Sequence, residues 1–181
     1  MNPPHSRPLF TILFSLFTAA LCAASASAAA FSPLQIGAGW PAPAGFELQL
    51  VPEKTPVFGF RLNLPGSVND TVAGLDFGIY SEAETFSGIR LNVFSGSKTL
   101  NGVAVAFMDV SEEVRGVQIG GLNLALHEVR GAQIGLLNFT YSLRGVQIGI
   151  LNFAEYLHGV QIGLFNVTES SGFSPLLRVA F

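Results

Sequence analysis

One phrase, G-V-Q-I-G-aliphatic-x-N, is spelled from Gly145 and again from Gly159. GAQIGLLN precedes it from Gly131 and GVQIGGLN from Gly116. Weaker copies start at Gly102 (GVAVAFMD), Gly88 (GIRLNVFS), Gly74 (GLDFGIYS), Gly59 (GFRLNLPG) and Gly45 (GFELQLVP), and a last unit starts near Gly172. About ten glycines thus pace the chain at intervals of roughly 13 to 15 residues, and such a period makes repetition the architecture. A unit this short cannot bury its own apolar face, so each copy must be covered by its neighbours.

Within each unit apolar residues alternate with polar or very small ones, the period-2 signature of a strand with two unlike faces. Counting from the repeat glycine, positions +1, +3 and +5 hold Phe60, Leu62 and Leu64 in one copy and Val160, Ile162 and Leu164 in the last full one. This face is expected to meet lipid or a dry core. The opposite face carries at +2 the column Glu47, Arg61, Asp76, Arg90, Ala104, Gln118, Gln133, Gln147 and Gln161, alternating in charge and then turning to amides. Such a column is expected to form a polar lumen lining or sheet face, its members pairing across adjacent strands. The segments PGSVND, SEAET and SGSKT read as turns, and the apolar residue two before each glycine, such as Val57 or Leu143, as a strand-end anchor.

Two all-β folds compete for this pattern. In an up-and-down sheet each repeat is one strand of about ten, paired antiparallel, and closure into a barrel removes the edges. In a β-solenoid each repeat is a whole coil and identical residues stack. The solenoid accounts for the lack of odd-even alternation and turns Asn123, Asn138, Asn152 and Asn166 into a ladder. Against it, SVND cannot cover Phe60, Leu62 and Leu64 with a second apolar face, nor can EAET cover Leu75, Phe77 and Ile79. The closed barrel is therefore the first expectation and the solenoid the alternative.

Residues 1–28 have the layout of a secretory signal, with Arg7, an apolar run from Leu9 to Cys22 and a small-residue Ala26-Ser27-Ala28 site, which leaves 29–181 as a single β-repeat domain. Leu21 before Cys22 argues against lipid attachment. Cys22 is the only cysteine, so the exported chain has no disulfide, thiolate metal site or thiol catalysis. With 12 acidic residues against 9 Lys plus Arg, nucleic acid is an unsuitable partner. Charged residues make up 12% of the chain against about 25% in soluble domains, so much of its surface must be buried or face something other than water. No apolar run after the signal is long enough for a spanning helix, and a membrane role would need strands.

The last residues, FSPLLRVAF, place Leu177, Val179 and Phe181 on alternate positions of a final strand, with Pro175 interrupting the pattern. This end resembles the terminal strand of bacterial outer-membrane β-barrels, and the resemblance implies that Leu177, Val179 and Phe181 act as a membrane-assembly signal, with the outer membrane and its assembly machinery as partners. The repeat, most clearly over 116–166, resembles bacterial exported surface-repeat proteins built on G-[VL]-Q-[IL]-G-x-x-N, which implies a surface or envelope location and no reaction. One dimension opposes a membrane barrel: +1 to +5 spans roughly 13 Å, whereas the apolar band of such barrels is about 25 Å tall.

No catalytic, cofactor or metal site is expected. His127 and His158 lack carboxylates at ligand spacing, no G-x-S-x-G elbow is present, and the repeat glycines sit within strands rather than at the strand-to-helix turn a phosphate cradle needs. The expected function is a non-enzymatic outer-membrane or cell-surface repeat protein with a structural, surface-interaction or minor permeation role. The alternative is a secreted or periplasmic β-solenoid binding module.

Overall fold

In the computed structural model, which describes residues 32–39, 47–169 and 172–181, each repeat glycine is a corner. Gly59, Gly74, Gly88, Gly102, Gly116, Gly131, Gly145 and Gly159 all have positive φ, from 131° to 150°, a conformation that side-chain-bearing residues rarely adopt. Each corner lies directly over the one before. A Cβ placed on Gly145 would fall 1.9 Å from the carbonyl oxygen of Gly131, and one on Gly159 would fall 2.0 Å from that of Gly145. Glycine is therefore required twice over, by the turn and by the close approach.

The described chain is all-β. Strands β1 (Ser32–Gly39), β2 (Glu47–Gln49), β3 (Val57–Thr168) and β4 (Gly172–Ala180) form one sheet in the order β2-β1-β3-β4. The length of β3 comes from winding: Gly131 stacks on Gly116, Gln133 on Gln118, Gly135 on Gly120 and Asn138 on Asn123, all in the same direction. One repeat is thus one coil, and eight corner glycines mark eight coils. β1 lies parallel on the first coil, with Gln35 opposite Arg61 and Ile36 opposite Leu62. β4 lies antiparallel on the last, with Val179 opposite Val160 and Leu177 opposite Ile162.

Several expectations are corrected by this arrangement. The sheet does not close into an up-and-down barrel; the stacked alternative is the one observed, because the repeats pair parallel and in register. The segments read as turns, SVND, SEAET and SGSKT, are extended. They carry small side chains inward: Ser67, Asn69, Ser81, Ala83, Ser95 and Ser97 are all buried. They need not cover Phe60, Leu62 and Leu64, since those point outward. Phe60 is 38% and Leu64 52% exposed. Glu47 does not head the +2 column, because β2 runs antiparallel to β1 with Glu47 opposite Gly39, and the backbone position beside Arg61 belongs to Gln35. The expected signal peptide and the repeat glycine Gly45 lie outside the described residues.

The apolar core is a single stack, not a layer. Val57, Val72, Phe86, Leu100, Val114, Val129, Leu143 and Leu157, the residues two before each corner, are buried with Ala83, Ala104, Ala125 and Ala154. Apart from Ala106 and Val51, the other buried side chains among the described residues are polar.

Candidate functional site

The +2 column is the axis of the coil. Arg61, Asp76, Arg90, Gln118, Gln133, Gln147 and Gln161 are all fully buried, which is tolerable only if every polar atom finds a partner. In the C-terminal half the amides provide most of this for one another, with Gln161 Oε1 at the end of the ladder left without a partner among the described residues. Gln161 Nε2 donates to Gln147 Oε1 at 2.8 Å, Gln147 to Gln133 at 2.7 Å and Gln133 to Gln118 at 2.8 Å. The second N–H of Gln147 reaches the carbonyl of Phe153 at 3.1 Å. A parallel ladder at +7 runs the other way: Asn123, Asn138 and Asn152 each donate at 2.8 Å to the next asparagine, ending on Asn166. Asn138 and Asn152 also donate to the carbonyls of Ile148 and Ile162 at 3.0 and 2.9 Å. Both ladders are thus tied to the backbone as well as along the axis.

Gln118 donates to Asp109, where the amide chain meets charges. In the N-terminal half Asp76 sits between two guanidinium groups, with Arg61 Nη2 at 2.8 Å and Arg90 Nε at 3.2 Å. Arg90 Nη1 is 4.0 Å from Asp109. Ser81 also donates to Asp76 at 2.5 Å, and Arg61 reaches Asn69 and the carbonyl of Glu82, each at 3.2 Å. Burial pushes the Asp76 carboxyl up, but Arg61, Arg90 and the Ser81 hydroxyl outweigh it and hold it below the usual carboxylate range. Two arginines and two aspartates balance, and the axis is filled by paired side chains rather than lining a water-filled bore, with Arg90 Nη2, Asn92 Oδ1 and Asn123 Oδ1 left without a hydrogen-bond partner among the described residues.

The outer surface has the opposite character. Positions +1, +3 and +5 are apolar in every coil from Phe60 to Leu164 apart from Gly121. Ile148 is 40%, Leu136 56% and Phe107 68% exposed. Eight coils at about 4.8 Å and a width of about 13 Å make a wall of roughly 500 Å² before side-chain relief. That is already the size of the largest patch a soluble monomer exposes, which is usually functional. In the last three coils the apolar surface turns the corner onto Leu137, Leu151 and Phe165. Beside the wall, one residue before the corner glycines, stand the exposed Arg115, Arg130, Arg144 and His158. Arg130 and Arg144 share Glu128 at 2.8 and 3.1 Å, and Arg115 meets Glu113 at 3.5 Å.

Leu177, Val179 and Phe181, read as an assembly signal, lie on or just past β4, 56%, 48% and 98% exposed. Leu177 and Val179 pair with Ile162 and Val160, so they extend the wall by one strand. Sequence reasoning found the column, the wall residues and the asparagine ladder, but expected the column to line a lumen or an open sheet face, whereas its side chains are fully buried and fill the interior. Among the described residues no three His, Cys, Asp or Glu side chains gather as a metal set, and no helix is long and apolar enough to cross a membrane. No protein-family profile, curated protein or solved structure matches the chain.

Proposed function

We propose that this chain is a non-enzymatic, exported envelope protein whose β-solenoid lies against a lipid surface through its apolar wall. The observation that carries the reading is the exposure of +1, +3 and +5 over eight successive coils while the glutamines are buried. A rigid apolar strip supplies the buried apolar area that holds a monotopic protein to lipid, and Arg115, Arg130 and Arg144 beside its last coils, offset in part by Glu113 and Glu128, add a weaker electrostatic attraction to anionic lipid. The interior charges satisfy each other and are closed to a substrate, which supports a role in association rather than catalysis. The filled axis gives no support to permeation through the coil.

The test is flotation of the purified mature chain with phosphatidylcholine vesicles and with vesicles containing phosphatidylglycerol. The parent should float with both, more completely with the anionic ones. A variant carrying Ile134→Glu, Ile148→Glu and Ile162→Glu should stay at the bottom with its circular dichroism unchanged. If the parent fails to float with either lipid, the lipid reading is wrong. The stacked coil itself then favours a secreted or periplasmic binding module, with outer-membrane association and its assembly machinery withdrawn.

A further inference from the structure

Gly96 has no structural reason to be glycine. A Cβ there would meet only the carbonyl oxygen of Val110, at 3.7 Å, an ordinary contact. At the corners on either side, Gly88 and Gly102, an added Cβ would fall 2.1 Å from the carbonyl of the coil below. What glycine does at 96 is leave a gap on the second outward face of the coil. Glu82 stands one coil before it at the equivalent place and Val110 one coil after. The gap is the middle of a groove of about 790 Å³ whose lining includes Tyr80, Glu82, Phe94, Gly96 and Val110. This is within the size range of small-molecule sites.

The groove has an apolar floor and an acidic rim. Phe94, 38% exposed, lies beside Tyr80 of the preceding coil, whose hydroxyl donates to Glu82 Oε2 at 2.5 Å and so steadies that carboxylate. Around them are the carboxylates of Glu53, Asp70, Glu84 and Glu112 and a single ammonium, Lys98, which is held by Glu84. Five carboxylates against one ammonium leave an excess of four negative charges around an apolar trough. A peptide would find no main-chain partner here, because the floor belongs to the interior of β3 and its N–H and C=O groups are committed to the neighbouring coils.

We propose that this groove binds an organic cation with an apolar body, its charged head held by Glu82 and Glu84 beside the rings of Tyr80 and Phe94 and its body filling the space over Gly96. Carboxylates set the sign, aromatic faces add cation-π attraction, and the missing side chain at 96 sets the size. The site is on a different face from the lipid wall and does not depend on it.

The probe is benzyltrimethylammonium, titrated into the full mature chain at low ionic strength by calorimetry, with benzyl alcohol and benzenesulfonate as neutral and anionic counterparts. The cation should bind saturably, one per chain, and the two counterparts should not. Gly96→Leu, which the backbone accommodates, should abolish binding while keeping the parent's circular dichroism and vesicle flotation. Glu82→Gln with Glu84→Gln should weaken it about tenfold, since two exposed charge contacts are lost and Lys98 is freed beside the cation. Lack of saturable binding by the parent would overturn the proposal. So would parent-like binding by Gly96→Leu, equal binding of benzyl alcohol, or binding of tetralysine in place of the small cation.

Discussion

Gln147→Leu measures whether the amide ladder holds the coil together. The substitution keeps nearly the same volume and adds apolar character at a fully buried position, so by hydrophobicity alone it should be mild or stabilising. The hydrogen bonds say otherwise. Gln147 donates to Gln133 Oε1 at 2.7 Å and to the Phe153 carbonyl at 3.1 Å, and accepts from Gln161 Nε2 at 2.8 Å. Leucine removes all three and strands Gln161 Nε2, whose other acceptor, the Val167 carbonyl, is at 3.5 Å. Each buried group left without a partner costs about 1–3 kcal/mol, while the gain from one apolar side chain offsets about 1 kcal/mol. The expected net loss is about 3–4 kcal/mol, a large part of the 5–15 kcal/mol that holds a typical domain together. Urea unfolding followed by far-ultraviolet circular dichroism gives the magnitude. Amide hydrogen exchange should localise the loss to the coils around 133–161, because coils of a solenoid are stabilised mainly by their neighbours. A loss below about 0.5 kcal/mol, or one spread evenly over the chain, would refute the ladder as a stabilising element.

Two further outcomes are expected. Asp76→Asn leaves Arg61 and Arg90 buried without their shared counter-charge and should cost about 3–5 kcal/mol. Because the folded carboxyl is held below its ordinary value of about 3.9, its contribution is present above that value and is lost as pH falls through the lower folded one. Acid titration of the parent by circular dichroism should therefore show unfolding below about pH 4, to which Asp76→Asn contributes no proton. Gly145→Ala should fail to fold or lose at least about 3 kcal/mol, given its φ of 147° and a Cβ 1.9 Å from the Gly131 carbonyl, whereas Gly96→Ala should stay within about 0.5 kcal/mol. Equal effects at the two glycines would contradict the corner geometry.

The period, the strand alternation and the membership of each face are legible from residues alone; what each face meets is not. Alternation puts Ile148 on a face expected to meet lipid or a dry core and Gln147 on a lumen lining or sheet face, whereas Ile148 is 40% exposed and Gln147 is buried in a filled interior. That burial depends on register between coils, which composition does not carry: these glutamines are buried because amide or carboxylate oxygens of the adjacent coil sit within hydrogen-bond reach. Two signals pointed that way. Asn123, Asn138, Asn152 and Asn166 recur without odd-even alternation, and the apolar residue two before each glycine never lapses, because it is the apolar core itself. The groove was invisible for a related reason. Gly96 looks like turn chemistry in SGSKT, and its neighbours at the equivalent place, Glu82 and Val110, become neighbours only once the coil is wound.

An inside-out solenoid separates the source of its stability from its outer face. The ladders, the interior ion pairs and the stacked backbone hold the coil from within, which leaves the apolar wall facing outward. The ends are handled differently. At the N-terminal side β2 turns antiparallel on β1, and at the C-terminal side β4 does the same on the last coil. β4 is further spoiled as a template: Pro175 removes a donor, Leu176 has a φ of 66°, and the pairing slips between Gly163 and Asn166. Such interruptions are how edge strands avoid pairing with another chain. Growth along the axis is thus blocked where a repeat protein is most exposed to it, while the lateral wall carries no comparable guard: no charge interrupts +1, +3 or +5 in any of the eight coils. An edge interrupted at its end beside an apolar side left bare is the arrangement that the proposed lateral contact with lipid would use.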